Sequence, residues 1–266
     1  ENTMSLTITL FQTDLIWESK QLNLNHFTEQ MSTVAQSDLM VLPEMFSTGF
    51  SMQSEQLAES MDDKTVQWML ARSAELDSIV CGSLIIKESG NFYNRFIWAQ
   101  PDGNVQFYDK RHLFRMSEEH QNYSPGHQKI ILDINGFKIC PQVCYDLRFP
   151  VFSRNTQRID GKLSAAYDLL LYVANWPAAR FTHWRALLQA RAIENQAYVI
   201  GVNRVGTDGN DIAYRGDSCV IDHQGEIVED MGNQAGILSV TLDKSPLEVY
   251  RAKFPAWKDA DQYQLI

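Results

Sequence analysis

Apolar positions along the chain recur with two periods that take turns. Leu6, Ile8 and Leu10 alternate with threonines, the period of a strand with two unlike faces. Leu24, Phe27, Met31 and Val34 recur at helical spacing, which predicts a helix over 20–36 with one apolar face. Residues 38–44 hold a short apolar run, Leu39-Met40-Val41-Leu42, ended by Pro43, the pattern of a buried strand. Val66, Met69 and Leu70 predict a second helix, and 79–86 a second buried strand. Residues 92–98 and 105–108 read as a hairpin across Pro101-Asp102-Gly103-Asn104, where each residue favours a turn.

The second half follows the same alternation. Residues 109–129 carry no period and end in Ser124-Pro125-Gly126, which predicts a long loop of the kind that usually has a function. Residues 130–134 and 137–143 pair across Asn135-Gly136. A short helix is predicted at 151–155, followed by a polar stretch to Ser164. Residues 168–174 are a buried strand halted at Asn175-Trp176-Pro177. Trp184, Leu187, Leu188, Arg191 and Ala192 mark a helix, 198–202 a strand, and 218–222 with 226–228 a hairpin. Residues 237–242 are the last strand, before a Pro246-led helix and an aromatic tail over about 250–266. The runs at 38–43 and 168–173 echo each other. Two similar halves, sheet packed on sheet with helices outside, would produce that echo. We therefore expect one α/β domain over 1–266, a four-layer α-β-β-α sandwich.

Composition narrows the function. Hydrophobic residues are 44% and charged residues 21% of the 266, ordinary for a soluble globular chain. The net charge of −10 and the lack of any Lys/Arg cluster argue against a nucleic-acid partner. No apolar run approaches the roughly 20 residues of a membrane-spanning helix, so no membrane partner is expected. The first ten residues lack a secretory signal, and the four cysteines read as reduced thiols, so a cytoplasmic location is expected.

Candidate chemistry sits where strands end, which is where ligand-contacting groups collect in α/β folds. Cys144 closes the run 137–143 and is followed at once by polar residues of both charges. Alone it reads as a core thiol or as a nucleophile held rigidly beside a cleft. Glu44 and Lys110, each just past a predicted strand, read singly as solvated charges.

Together these segments resemble a known family. Pro43-Glu44-Met45-Phe46, Asp109-Lys110-Arg111-His112-Leu113-Phe114 and Val143-Cys144-Tyr145-Asp146-Leu147-Arg148-Phe149-Pro150 are similar, in order and spacing, to the Glu-Lys-Cys signature of the nitrilase superfamily. Glu119, five positions before Ser124, resembles the second glutamate of its amidase-type members. Nitrile-hydrolysing members follow their cysteine with Trp-Glu and carbamoylases with Asn-Asp. The segment Cys144-Tyr145-Asp146-Leu147-Arg148-Phe149 instead resembles the ω-amidase branch, which deamidates 2-oxoglutaramate and related ω-amides of dicarboxylic acids. Asn175-Trp176-Pro177 departs from the small glycine-containing turn frequent in that branch, and the indole is expected to narrow the pocket.

The resemblance implies a thiol amidohydrolase that releases ammonia through a cysteine thioester. Cys144 would be the nucleophile and Glu44 the base. Lys110 and the Tyr145 N–H would hold the oxyanion, and Glu119 would hold the substrate amide and orient Lys110. On this reading replacing Lys110 costs rate far more than fold. Arg148 or Arg115 would meet the substrate carboxylate, with Arg148 equally suited to a structural ion pair with Asp146. Phe114, Tyr145, Asn175 and Trp176 would wall the pocket. The resemblance also favours a homodimer, and no cofactor or metal is implied; the six histidines make no His-x-x-x-His pair.

Three alternatives stay open at this level. One is a Cys-His hydrolase using His183, with Asn175 or Asn203 orienting it. Another is a nitrilase or amidase of different substrate range. The last is an inert binding or assembly protein of the same fold, which would leave Glu44, Lys110 and Cys144 together unexplained.

Overall fold

The computed structural model describes residues 4–159, 162–261 and 263. Residues 1–3 and the last part of the predicted tail, 262 and 264–266, lie outside them. The first half supplies β1 (Ser5–Gln12), β2 (Leu39–Val41), β3 (Ile79–Glu88), β4 (Asn91–Ala99) and β5 (Val105–Asp109). The second supplies β6 (Leu132–Ile134), β7 (Phe137–Val143), β8 (Gln157–Ile159), β9 (Lys162–Ser164), β10 (Leu169–Ala174) and β11 (Tyr198–Asn203). It continues with β12 (Val205–Thr207), β13 (Ala213–Arg215), β14 (Cys219–Ile221), β15 (Ile227–Asp230) and β16 (Gly236–Asp243).

Two six-stranded sheets result, with orders β16-β1-β2-β3-β4-β5 and β6-β7-β10-β11-β14-β15. Followed in these directions, both run antiparallel, parallel, parallel, antiparallel, antiparallel. The echo seen in the sequence is thus one piece of a repeat that covers both sheets. It reaches individual hydrogen bonds. Asp38 Oδ2 accepts the Thr7 N–H at 2.7 Å, and Asp168 Oδ2 accepts the Lys138 N–H at 3.0 Å. In each half the aspartate starts a central strand by tying down the strand beside it.

The layers follow from alternation along the strands. Leu39, Val41, Phe96 and Trp98 turn to the core shared with the second sheet, where Phe137, Ile139 and Val143 meet them. Their neighbours Met40, Leu42, Ile97 and Ala99 turn outward onto Leu24, Phe27, Val66 and Met69 of the helices Lys20–Met31 and Lys64–Leu76. The second sheet is covered by Trp184, Leu188 and Ala192 of helix Phe181–Asn195, and by Leu247 of helix Lys244–Lys253. Central strands buried on both faces must be apolar throughout, which is why their runs were uniform rather than alternating. The four-layer sandwich is the observed architecture.

Several boundaries differ from expectation. The first helix ends at Met31, not 36; Val34 keeps the apolar period because it packs on the same core from the turn beyond. Part of the polar stretch 156–164 pairs as the hairpin β8–β9, of which residues 160 and 161 are not described. A second hairpin, β12–β13, was not foreseen. All four of these strands have three residues, too few to set an apolar period. The described tail lies on its own chain, with Arg251 Nη1 on Asp168 Oδ1 at 3.0 Å and the Tyr263 hydroxyl donating to the Val151 carbonyl at 2.8 Å.

Candidate active site

The C-terminal ends of β2, β5, β7 and β10 converge on one point between the sheets. Glu44 follows β2 and is fully buried. Its Oε1 accepts from Lys110 Nζ at 3.0 Å and from Asn94 Nδ2 at 2.7 Å. Its Oε2 accepts the Asn175 N–H at 2.8 Å, and Asn175 Nδ2 also donates to the Glu44 carbonyl. Asn175 follows β10, the strand equivalent to β2 in the other half. The repeat therefore brings the ends of both central strands together.

Lys110 follows β5 and is 1% exposed. Its ammonium bridges Glu44 and Glu119, reaching Glu119 Oε1 and Oε2 at 3.0 and 2.9 Å. Burial works against its charge, but Glu119 and then Glu44 outweigh burial and hold it protonated well above the ordinary lysine value. Glu119 arrives on a single helical turn, Glu119–Asn122, inside the long loop. Burial pushes its carboxyl up, against the pull of Lys110, and its Oε2 also takes the Phe114 N–H at 2.6 Å. The loop returns at Gly126, whose N–H donates to the Lys110 carbonyl at 2.9 Å. A Cβ on Gly126 would lie 2.1 Å from the Asp109 carbonyl oxygen, so only glycine lets the loop close there.

Cys144 follows β7 with φ +45°, a left-handed conformation that costs a non-glycine residue about 1–2 kcal/mol. Asp146 holds the turn. Its Oδ2 accepts from the Val143 N–H at 3.0 Å and the Tyr108 hydroxyl at 2.7 Å. Its Oδ1 takes the His112 N–H at 3.0 Å and lies 2.7 Å from His112 Nδ1. This network occupies Asp146, and among the described residues the alternative ion pair with Arg148 is not formed. Asp146→Ala is expected to cost about 3 kcal/mol of stability, read by urea denaturation, because it strands buried donors and releases the strained turn. Cys144 is 9% exposed as a residue, and its Sγ lies 3.8 Å from the Asn175 carbonyl oxygen. Burial, then the Glu44 charge, push the thiol well above its ordinary range, with Lys110 pulling the other way. The resting group is a neutral thiol beside a carboxylate.

A cavity of about 750 Å³ opens onto Lys110 and Cys144. Of the predicted pocket residues, Phe114, Tyr145, Arg148, Asn175 and Trp176 all border it. Arg115 does not. It starts the 3-10 turn Arg115–Ser117, is exposed, and is turned away by the bend that seats Glu119. Arg180 borders the cavity instead, from the 3-10 turn Ala178–Arg180 past Trp176. Trp176 is a wall, fixed by Asn203 Oδ1 on its N–H at 2.8 Å and by its Nε1 donating to the Arg180 carbonyl at 2.8 Å. His183 is exposed, with Nδ1 3.0 Å from Arg148 Nη2, and Asn203 serves Trp176, so the Cys-His arrangement is not formed. Asn94, missed in the sequence, donates to both Glu44 and Glu119; a polar residue in a buried stretch of β4 was its only signal. Among the described residues no group of three or more His, Cys, Asp and Glu side chains is placed to hold a metal ion.

Comparison with known proteins agrees with this geometry. A family model described as carbon-nitrogen hydrolase matches residues 7–252. The chain is 49% identical to "Omega-amidase YafV" of Escherichia coli K12, over 98% of each chain. It is 31% identical to "2-oxoglutaramate amidase" of Bacillus subtilis, over 96% of this chain and 98% of that one. Among solved structures it superposes on XC1258 of Xanthomonas campestris, a CN-hydrolase superfamily protein with an arsenic adduct in its active site. That match has a TM-score of 0.95 and 43% identity, over 98% of this chain and 99% of that one.

Proposed function

The chain belongs to the carbon-nitrogen hydrolase family, and from that premise we propose that it is an ω-amidase that hydrolyses the terminal amide of small dicarboxylic ω-monoamides such as 2-oxoglutaramate. The observation that carries the reading is the buried Glu44 carboxylate, ion-paired to Lys110 on one oxygen and standing beside the Cys144 thiol.

The mechanism uses each group where it lies. Glu44 takes the thiol proton as Sγ attacks the amide carbon and the carbonyl π electrons move to oxygen. A neutral thiol with an adjacent base suits this concerted step. Lys110 Nζ and the Tyr145 N–H, at the start of the turn after β7, stabilise the oxyanion. Glu44 passes its proton to the amide nitrogen, the carbon–nitrogen bond breaks, and ammonia leaves a thioester on Cys144. Glu44 then deprotonates water, which attacks the thioester; the carbon–sulfur bond breaks, and the thiol regains its proton. Glu119 holds Lys110 with both oxygens. Asn175 Oδ1, buried without a hydrogen-bond partner at the cavity edge, accepts an N–H of the substrate amide. Arg148 receives the substrate carboxylate.

The test is ammonia release from 2-oxoglutaramate, 2-oxosuccinamate, glutamine and a simple nitrile. The 2-oxo acid amides are expected to give the highest kcat/KM, and faster turnover of glutamine or the nitrile would contradict the reading. The same proposal includes a single domain, a cytoplasmic location and a homodimer joined through the outer helices. The four free, buried cysteines fit a reducing compartment. Light scattering should give twice the chain mass; a monomer at micromolar concentration would refute the dimer.

A further inference from the structure

Two guanidinium groups, Arg148 and Arg180, border the cavity alongside Lys110. Elsewhere in this acidic chain arginines hold carboxylates, as Arg95, Arg185, Arg204 and Arg251 do. Arg148 and Arg180 form no such ion pair among the described residues. Arg148 has only the His183 ring nitrogen at 3.0 Å, and its guanidinium lies 4.9 Å from the Trp176 ring. The Arg180 guanidinium lies 5.4 Å from the Phe114 ring, and Phe114 packs edge-on to Tyr145 at 5.0 Å, next in sequence to the nucleophile. Trp176 connects the two arginines, with its face beneath Arg148 and its Nε1–H on the Arg180 backbone. Aromatic faces strip water from both cations and leave their N–H groups to a ligand.

The acids on the same cavity do not neutralise them. Asp208 is spent within its own hairpin, taking the Tyr214 hydroxyl at 2.8 Å and the N–H groups of Asn210 and Ile212 at 2.8 and 3.1 Å. Glu18 Oε1 takes the Ser51 hydroxyl at 2.6 Å.

We propose that Arg180 is a specificity-determining residue: with Arg148 on the substrate carboxylate, Arg180 donates to the adjacent 2-oxo oxygen and so selects 2-oxo acid amides over their 2-amino counterparts. This inference rests on the ω-amidase reading. A 2-oxo acid end is planar, offers neighbouring acceptor oxygens and carries no donor, which matches two guanidinium forks. A 2-amino acid puts an ammonium in that place, where two cations repel it.

The experiment compares the parent enzyme with Arg180→Gln and Arg180→Lys on 2-oxoglutaramate, glutamine and butanamide. A charge-assisted hydrogen bond of this kind corresponds to about tenfold or more in binding. Arg180→Gln should raise KM for 2-oxoglutaramate by about tenfold or more, with kcat changing much less. Its preference for 2-oxoglutaramate over both other substrates should fall by the same factor, and Arg180→Lys should restore part of it. An unchanged KM, or equal losses on all three substrates, would overturn the role of Arg180 while leaving the ω-amidase reading in place. A parent enzyme that fails to turn over 2-oxoglutaramate would overturn that reading and the inference with it.

Discussion

Glu44→Gln is expected to lower kcat for ammonia release by about 10³-fold or more, in a chain that still folds. General-base catalysis contributes roughly 10²–10⁴-fold. In the proposed mechanism one carboxylate serves attack, leaving-group protonation and thioester hydrolysis, so the upper part of that range applies. Glutamine keeps the shape but loses the charge and turns one acceptor into a donor. Glu44 accepts from Lys110 and Asn94 on Oε1 and from the Asn175 N–H on Oε2. Whichever way the new amide faces, its NH₂ meets a donor, which costs about 1–3 kcal/mol. Thermal melting and kcat measured on one preparation separate the two effects. A kcat within tenfold of the parent would remove Glu44 from the mechanism.

Lys110→Met is expected to strike rate and stability together. An oxyanion donor is typically worth about 10²–10³ in kcat. Its removal also leaves Glu44 and Glu119 buried side by side with no cation between them, and breaking a buried pair costs about 3–5 kcal/mol. The sequence alone suggested that rate would suffer far more than fold. Full burial between two carboxylates revises that expectation.

The pH dependence follows from the signs. In the parent, Glu119 and Glu44 hold Lys110 above its ordinary value, so while those carboxylates are ionised its pairing stabilises the fold up to ~10.4 and fades as pH rises beyond it. In the variant the pull of Lys110 is gone while burial and the Glu44 charge still push Glu119 up, so the folded state binds a proton more tightly than the unfolded chain. Stability must then rise as pH falls. Urea denaturation of the variant should show a smaller deficit against the parent at about pH 5 than at about pH 8. An equal deficit at both would mean the carboxylates are not coupled as described.

What the sequence could tell depended on whether a role was written in residue type or in geometry. Glu44, Lys110, Glu119 and Cys144 carry chemistry in their types, and their order made them readable together although each alone looks like an ordinary surface charge or core thiol. The two sheets were readable because strands buried on both faces need uninterrupted apolar runs. The small hairpins β8–β9 and β12–β13 are held by turns and neighbours rather than by apolar period, so nothing in three residues announced them. Asn94 and the backbone of Asn175 act through position. An asparagine among apolar strand residues says only that something polar is satisfied nearby. Arg115 and Arg180 show the limit of sequence proximity. Arg115 adjoins the site in sequence, yet the 3-10 turn before Glu119 carries it outward. Arg180 is remote from Cys144 in sequence, yet the loop after β10 delivers it to the cavity. The strain at Cys144 was equally hidden, because φ is decided by the Asp146 network and not by the cysteine.

In the proposed mechanism Cys144 forms a thioester with the acyl part of an ω-amide. Acid-quenching the enzyme during turnover of 2-oxoglutaramate, followed by peptide mass analysis, tests it most directly. An acyl adduct confined to the Cys144 peptide is expected in the parent, and in Cys144→Ala neither adduct nor ammonia release above background. Ammonia release from Cys144→Ala at the parent's rate would contradict it.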